Sequence, residues 1–316
     1  MNGRILVTGG TGLVGSAIQR ILKNRDRDRD KDKNIQFISS SDCDLTDLFQ
    51  AQELFRTHAP KYVIHLAACV GGLYKNMNNK VEMLEKNIQI NYNVVKCCHD
   101  FGVIKMIACL STCIFPDETE YPINETMLHN GPPHTSNDAY AYSKRMLQIH
   151  CKAYREMYGD NFVCIIPTNI YGPADNYNLE DGHVIPSLIH KCYLAKQTGA
   201  DFVVRGTGSP LRQFIYSEDL AKIILWIMEF YNDESVIISA SETSIANVAK
   251  IIADKFGYGD RMVFDKTYSD GQYKKTADNS LLLSLIGENY EFTDIGEGLG
   301  KSVDWFIANY ENARKN

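Results

Sequence analysis

Residues 4–23, RILVTGGTGLVGSAIQRILK, narrow the fold more than any other stretch of this 316-residue chain. A short β-branched run meets a glycine turn and then apolar residues at helical spacing, Leu13, Ile18, Ile21 and Leu22. The three glycines have separate tasks: Gly9 allows a tight turn, Gly12 a close backbone approach to a pyrophosphate, and Gly15 the packing of helix on strand. The N–H groups that open the helix have no intrahelical acceptor and favour an anion. The backbone through Gly9, Gly10, Thr11, Gly12, Leu13, Val14 and Gly15 is therefore the expected dinucleotide cradle.

The rhythm continues downstream. IQFIS (35–39), a helix after CDLTD (43–47), YVIHLAA (62–68), a helix over 78–100 and IKMIACLS (104–111) alternate strand with helix, which predicts a parallel sheet covered on both faces. His65 inside its apolar strand reads as a satisfied core histidine. Residues 24–34, NRDRDRDKDKN, carry no apolar position and read as a solvated insert without function. Their aspartates lie at the distance where an acid binding the NAD ribose is sought, but none ends a strand. The second strand instead delivers Ser39, Ser40 and Ser41, hydroxyls without a carboxylate, which favours NADP over NAD.

Composition removes other classes. Net charge is −6 with the signs interspersed, so no basic face invites nucleic acid. The run IILWIM (223–228) is too short to cross a bilayer, and the first residues lack a leader-like pattern. Nine cysteines without a C-x-x-C pair argue against a disulfide framework and against a metal site, and fit a reducing cytoplasm.

The chemistry gathers around ACLSTCIFP (108–116), read as a strand running out at the ligand-binding end of the sheet. In an extended chain Ser111 and Cys113 share a face while Thr112 points away. Downstream, AYAYSKRML places Tyr140 and Lys144 one helical turn apart, with Tyr142 on the other side. A second Tyr-x-x-x-Lys, Tyr92 to Lys96, lies upstream on a packing helix and is a chance match. Tyrosine titrates near pH ~10, and an ammonium one turn away, with the positive nicotinamide ring, is expected to stabilise the phenolate. Tyr140 then serves as acid-base group and Ser111 as carbonyl-polarising donor, while Lys144 also holds the nicotinamide ribose.

This set of glycine turn, Ser and Tyr-x-x-x-Lys resembles the extended short-chain dehydrogenase/reductases. PTNIYGP (167–173), DGHVIPSLIHK (181–191), RGTGSPLRQFIYSEDLA (205–221) and SDGQYKK (269–275) resemble their nucleotide-sugar branch, and STCIFP with HVIP resembles the members that act on GDP-4-keto-6-deoxy-D-mannose. The similarity runs from residue 4 to NYENARK (309–315). It implies 3,5-epimerisation followed by NADPH-dependent reduction at C4, in a homodimer. It assigns reduction to Ser111, Tyr140 and Lys144, and epimerisation to Cys113 and His183. Cys113, near cations that favour a thiolate, is the expected base and His183 the expected acid. Cofactor contacts fall on the glycine turn, Ser39, Ser40, Lys144, Pro167, Thr168, Asn169, Ile170 and His183. GDP-sugar contacts fall on Lys191, Arg205, Arg212 and Asp270, with Arg205 standing where relatives often carry Trp.

The expected fold is α/β: a Rossmann-type doubly wound parallel sheet with a smaller α/β substrate-binding domain. Residues 1–172 and 213–240 would bind NADP, and 173–212 and 241–316 the GDP-sugar. Two rival functions stand beside this one, a nucleotide-sugar 4-epimerase or 4,6-dehydratase that recycles NAD, and a non-enzymatic dinucleotide sensor. A dehydratase would be expected to show an Asp-Glu pair where Cys113 and Ile114 stand, and a sensor tends to lose the Tyr or the Lys.

Overall fold

A computed structural model describes residues 3–24, 34–268, 270 and 274–315. Most of the charged insert, residues 25–33, lies outside the described residues. Six parallel strands form the main sheet: β1 (Ile5–Thr8), β2 (Ile35–Ile38), β3 (Tyr62–His65), β4 (Lys105–Cys109), β5 (Phe162–Pro167) and β9 (Ser235–Ile238). Their spatial order is β2-β1-β3-β4-β5-β9, so the chain winds outward from β1 in both directions and opens a crevice at the strand ends.

Alternation along each strand builds two apolar layers. Leu6, Val63, Met106 and Cys164 enter one core cluster, and Val7, Ile64, Ile107 and Ile165 enter the other. Burial on both faces explains why these strands read as unbroken apolar runs. The first layer packs on α2 (Leu48–His58), α4 (Lys80–Asp100) and α5 (Asp138–Tyr158), the second on α1 (Leu13–Asn24) and α7 (Ser217–Phe230). CDLTD supplies the cap of α2, where Asp47 accepts from the Phe49 and Gln50 N–H groups.

Two strands end earlier than their apolar runs. β2 stops at Ile38 because the Asp42 carboxylate takes the Ser39 N–H at 2.8 Å. β3 stops at His65 because the Ala67 N–H turns to Thr8 Oγ1 at 3.2 Å instead of continuing the ladder. The expected helix over 78–100 is α4, preceded by a separate short helix, α3 (Leu73–Asn78).

A third core cluster joins β6 (Asn169–Tyr171), β7 (Phe202–Arg205) and β8 (Leu211–Tyr216) to the helices α6 (Val184–Thr198), α8 (Ile245–Lys255) and α10 (Ile295–Ala308). β10 (Glu242–Ser244) runs antiparallel to β8, and β11 (Met262–Asp265) runs parallel to β7. The short α9 (Ser280–Ile286) returns Leu282 to the second layer of the main sheet.

Candidate active site

The glycine turn closes on itself and on the sheet. Gly10 N–H donates to Ile38 O at 2.8 Å, Gly12 N–H to Gly9 O at 3.0 Å, and Gln19 Nε2 to Gly10 O at 2.8 Å. A Cβ on Gly15 would lie 2.5 Å from Gly10 O, so only glycine lets α1 approach the strand this closely. On Gly12 the same atom would meet only Gly9 O, at 3.2 Å, and otherwise open space. That space lies before the first N–H groups of α1, as a diphosphate requires. At the end of β5, buried Thr168 has an Oγ1 without a hydrogen-bond partner among the described residues, a polar atom left for a ligand. The residues thus fit a dinucleotide. Asn169, from the same expected set, commits its amide to Gln213 O at 3.0 Å.

The ribose end corrects the sequence reading, which saw hydroxyls and no carboxylate. Asp42 lies beside them: its Oδ2 accepts from Ser39 Oγ at 2.5 Å as well as from the Ser39 N–H, and Ser39 Oγ lies 2.7 Å from Ser41 Oγ. The carboxylate is turned back onto its own loop, and those two bonds hold its pKa below the ordinary value.

At the end of β4 the chain leaves the strand two residues earlier than expected. Ser111 caps a 3₁₀ turn, Thr112–Ile114, and its Oγ accepts the Cys113 N–H at 3.4 Å. The i, i+2 argument for an extended chain therefore fails, yet the cap brings Ser111 and Cys113 together by another route. Arg145 fixes the turn from α5, donating Nε to Ile114 O at 2.6 Å.

Tyr140 and Lys144 occupy the first turns of α5, and Lys144 Nζ lies 5.9 Å from the Tyr140 ring centre. Tyr142 is exposed on the other side of the helix, as its spacing implies. Lys144 is buried and donates Nζ to Cys109 O at 2.8 Å. The ammonium is thus tied to β4 while it faces the Tyr140 ring. Burial holds the Tyr140 phenol well above its ordinary value, and the neighbouring Cys113, Cys109 and Cys69 push in the same direction. A neutral phenol is a proton donor, the form that carbonyl reduction requires. The expectation of a Cys113 thiolate fails. Burial raises the thiol, and the Ser111 hydrogen bond with the Lys275 and Lys144 charges opposes it without prevailing.

Under this group runs a fully matched polar chain. Thr8 Oγ1 accepts the Ala67 N–H and lies 2.8 Å from His65 Nδ1, and His65 Nε2 lies 3.1 Å from Asn91 Oδ1. Asn91 Nδ2 donates to Ser143 O at 3.4 Å, which fixes its Oδ1 as acceptor and places the histidine proton on Nε2. His65 is the satisfied core histidine foreseen from its strand. Burial, with the Lys144 charge next, lowers its pKa to about 3.

His183 caps the start of α6 and is open to solvent, but the cleft walls around it lower its pKa by desolvation. Its loop meets the connection after β3, where Gly72, at the start of α3, donates its N–H to Asp181 O at 2.7 Å. Lys191 and Arg205 line one groove of about 520 Å³ with Leu194, Val203, Asp265 and Tyr268. The Arg205 guanidinium stacks over the Tyr268 ring at 4.6 Å. Burial lowers the Lys191 pKa and the Arg205 charge lowers it further, so two cations converge where an anion would relieve both. Asp270 serves the turn behind Arg205, accepting from Thr207 N–H at 2.7 Å and Thr207 Oγ1 at 2.6 Å. Arg212 donates Nη1 to Leu211 O at 2.7 Å, on β8.

Lys275 was missed as a site residue. The backbone of 276–278 is clamped: Ile123 N–H donates to Thr276 O at 2.9 Å, and buried Gln213 exchanges two bonds with Ala277 at 2.7 and 3.0 Å. Lys274 and Thr276 both turn to Glu242, at 3.7 and 2.5 Å. Lys275 between them faces the other way, where its charge is felt by Cys113 and Arg212. It ends the SDGQYKK stretch, but the pattern does not show that it faces Cys113, because its position depends on a strap from the far end of the chain. Tyr268 and Asp42 were missed for the same reason, their roles resting on neighbours rather than on motifs.

Residues 5–239 match the NAD dependent epimerase/dehydratase family. The chain is 52% identical over 315 residues, 98% of its length and 97% of the relative's, to GDP-L-fucose synthase of Dictyostelium discoideum. It is 46% identical to a probable GDP-L-fucose synthase of Drosophila melanogaster, over 99% of both chains. A crystal structure of a GDP-L-fucose synthetase from Naegleria fowleri bound to NADP superposes with a TM-score of 0.92 at 47% identity, covering 99% of this chain and 95% of that one. The chain therefore belongs to the NAD dependent epimerase/dehydratase family and, within it, to the GDP-L-fucose synthase group.

Proposed function

We propose that the protein converts GDP-4-keto-6-deoxy-D-mannose to GDP-L-fucose, inverting C3 and C5 and then reducing the C4 carbonyl with NADPH. The observation that carries this reading is the meeting of Ser111, Cys113, Tyr140 and Lys144 beyond the end of β4, in a chain so similar to GDP-L-fucose synthases throughout its length. NADPH held by the glycine turn, Ser39, Ser40, Lys144 and residues 167–170 supplies the hydride. Ser111 donates a hydrogen bond to the C4 oxygen and Tyr140 gives it the proton.

The same carbonyl acidifies the C–H bonds at C3 and C5, since the carbanion formed there is an enolate whose oxygen Ser111 and Tyr140 stabilise. Cys113 removes the proton and His183 returns one from the opposite face. Because burial favours the Cys113 thiol, its proton must first pass to solvent water before the thiolate acts as base. Lys191, Arg205, Arg212 and Asp270 contact the GDP-sugar, Arg205 by stacking its guanidinium on the base and Arg212 by pairing with the diphosphate. Residues 1–172 and 213–240 form most of the NADP-binding part and 173–212 with 241–316 most of the GDP-sugar part, with Tyr171, Phe214 and Tyr216 packing into the third core cluster and Leu282 returning to the second.

Val81, Ile88 and Tyr92 on α4 and Tyr142, Met146 and Ile149 on α5 leave an apolar face exposed at helical spacing, and a second copy of the chain is the occupant proposed for it. No helix among the described residues is long and apolar enough to cross a membrane, and all nine cysteines are unpaired, which supports a cytoplasmic site of action.

The purified protein with NADPH and GDP-4-keto-6-deoxy-D-mannose should yield GDP-L-fucose stoichiometrically with NADPH oxidised. In deuterated water, label should enter C3 and C5 before reduction. Cys113→Ser should lose most of that exchange while still oxidising NADPH slowly. Parent-rate exchange by Cys113→Ser would remove the thiol from the mechanism, and no NADPH oxidation by the parent would remove the function.

A further inference from the structure

The loop that carries His183 is anchored at its far end by a segment more than a hundred residues away. Arg314 O accepts the Tyr177 N–H at 2.7 Å, Asn176 and Arg314 form a parallel β-bridge, and Arg314 Nη2 donates to Ala174 O at 2.9 Å. The loop is strained and incompletely matched at this point. Ala174 has φ 68°, a left-handed conformation that a non-glycine residue rarely adopts. The adjacent Asp175 is buried, and its Oδ2 has no hydrogen-bond partner among the described residues. Strain and an orphaned acid persist only where surrounding contacts hold them.

From there a stiff path leads to the imidazole. Asn178 Oδ1 accepts the Glu180 and Asp181 N–H groups at 2.8 and 2.7 Å, and Asn178 O accepts the Gly182 N–H at 3.0 Å. Gly182 is pressed against the bridge itself: a Cβ there would lie 2.6 Å from Asn176 O and 2.4 Å from Asn178 O. His183 is the next residue. Its partner loop is held too, since Tyr177 O accepts from His190 Nδ1 at 2.7 Å within α6.

We propose that Arg314 is a positioning residue for His183: its guanidinium, by holding Ala174 O beside the backbone bridge to Asn176 and Tyr177, sets the loop whose other end carries the imidazole, and so governs proton transfer at C3 and C5 without touching the reacting atoms. The inference rests on the reading of His183 as the acid-base partner of Cys113.

The test separates proton transfer from hydride transfer. Deuterium wash-in to C3 and C5 of GDP-4-keto-6-deoxy-D-mannose reports the first. The initial rate of NADP reduction by GDP-L-fucose, which uses Ser111, Tyr140 and Lys144, reports the second. Arg314→Ala should lower the maximal wash-in rate about tenfold, as expected for a misplacement of about half an ångström, with KM and the hydride rate within about twofold of the parent. Arg314→Lys, which keeps a donor for Ala174 O, should recover most of the loss. An equal fall in both rates would mean general loosening and overturn the proposal, as would an unchanged wash-in rate. His183→Asn distinguishes the underlying reading: if it exchanges at the parent rate, the acid-base assignment of His183 fails, whereas if it abolishes exchange and Arg314→Ala does not reduce it, only the positioning role fails.

Discussion

Asp175→Asn should change stability in a way that depends on pH with a definite sign. The carboxyl is 4% exposed, accepts one hydrogen bond, from Asn176 N–H at 2.7 Å, and burial pushes its pKa up to about 7 despite that bond and the Arg314 charge. Its ordinary value is 3.8. Between about pH 4 and 7 the folded state therefore holds a proton that the unfolded state has released, and stability falls as pH rises through that window. At 1.36 kcal/mol per unit, the ionised group costs about 4 kcal/mol once the pH exceeds 7. Asparagine keeps the acceptor for Asn176 and carries no charge to bury. The variant should gain up to about 4 kcal/mol over the parent at pH 8, and the gain should shrink towards zero at pH 4.

The raw stability curve hides this effect, because His65 runs against it. Held neutral with a pKa of about 3 against an ordinary 6.5, His65 contributes stability present above pH 6.5 and lost as pH falls towards 3, about 5 kcal/mol in all. Only the difference between variant and parent isolates Asp175. Urea unfolding followed by the fluorescence of Trp226 and Trp305, at matched protein concentration and half-unit pH steps from 4 to 8, measures it. A difference that stays constant with pH, or grows as pH falls, would refute a buried, proton-holding Asp175.

Tyr140→Phe should bind NADPH as the parent does and lose on the order of 10³-fold in turnover, read by NADPH absorbance, because the ring still packs while the proton donor is gone. Lys275→Met should raise the Cys113 thiol further, since it deletes one of the charges that lower it. The ascending limb of the deuterium wash-in profile, on which the thiolate forms, should move to higher pH, with about a tenfold loss at neutral pH for each unit. Met146→Glu, which puts a charge on the exposed face of α5, should convert the species seen by analytical ultracentrifugation from dimer to monomer; an unchanged sedimentation coefficient would place the partner elsewhere.

The main sheet was legible because each of its strands solves one problem locally. Leu6 and Val7, or Met106 and Ile107, must both be apolar when helices cover both faces, and a run of such residues between glycine-rich or capped helices has few other uses. Strand ends were less legible because they are decided by single side chains that intercept the ladder, Asp42 at β2 and Thr8 at β3. Neither is visible as a stop signal without knowing what lies beside it.

The same division separates the site residues that spacing found from those it did not. Tyr140 and Lys144 lie on one helix, so their period alone places them together. Ser111 and Cys113 were joined for the wrong reason, and the pairing survived because a serine at a strand end caps the turn that replaces the strand. Their protonation was not legible at all. A sequence shows that lysines are near in a family pattern, but whether a thiol ionises depends on burial against charge, and here burial prevails over Lys275 and Lys144 together. Burial favours the protonated form of both Tyr140 and Cys113, so under the proposed function the acid for reduction is ready while the base for epimerisation has still to be made. Against burial stand first the Ser111 hydrogen bond and then the Lys275 and Lys144 charges, and Lys275 reaches the cleft on a strap some 160 residues downstream of Cys113.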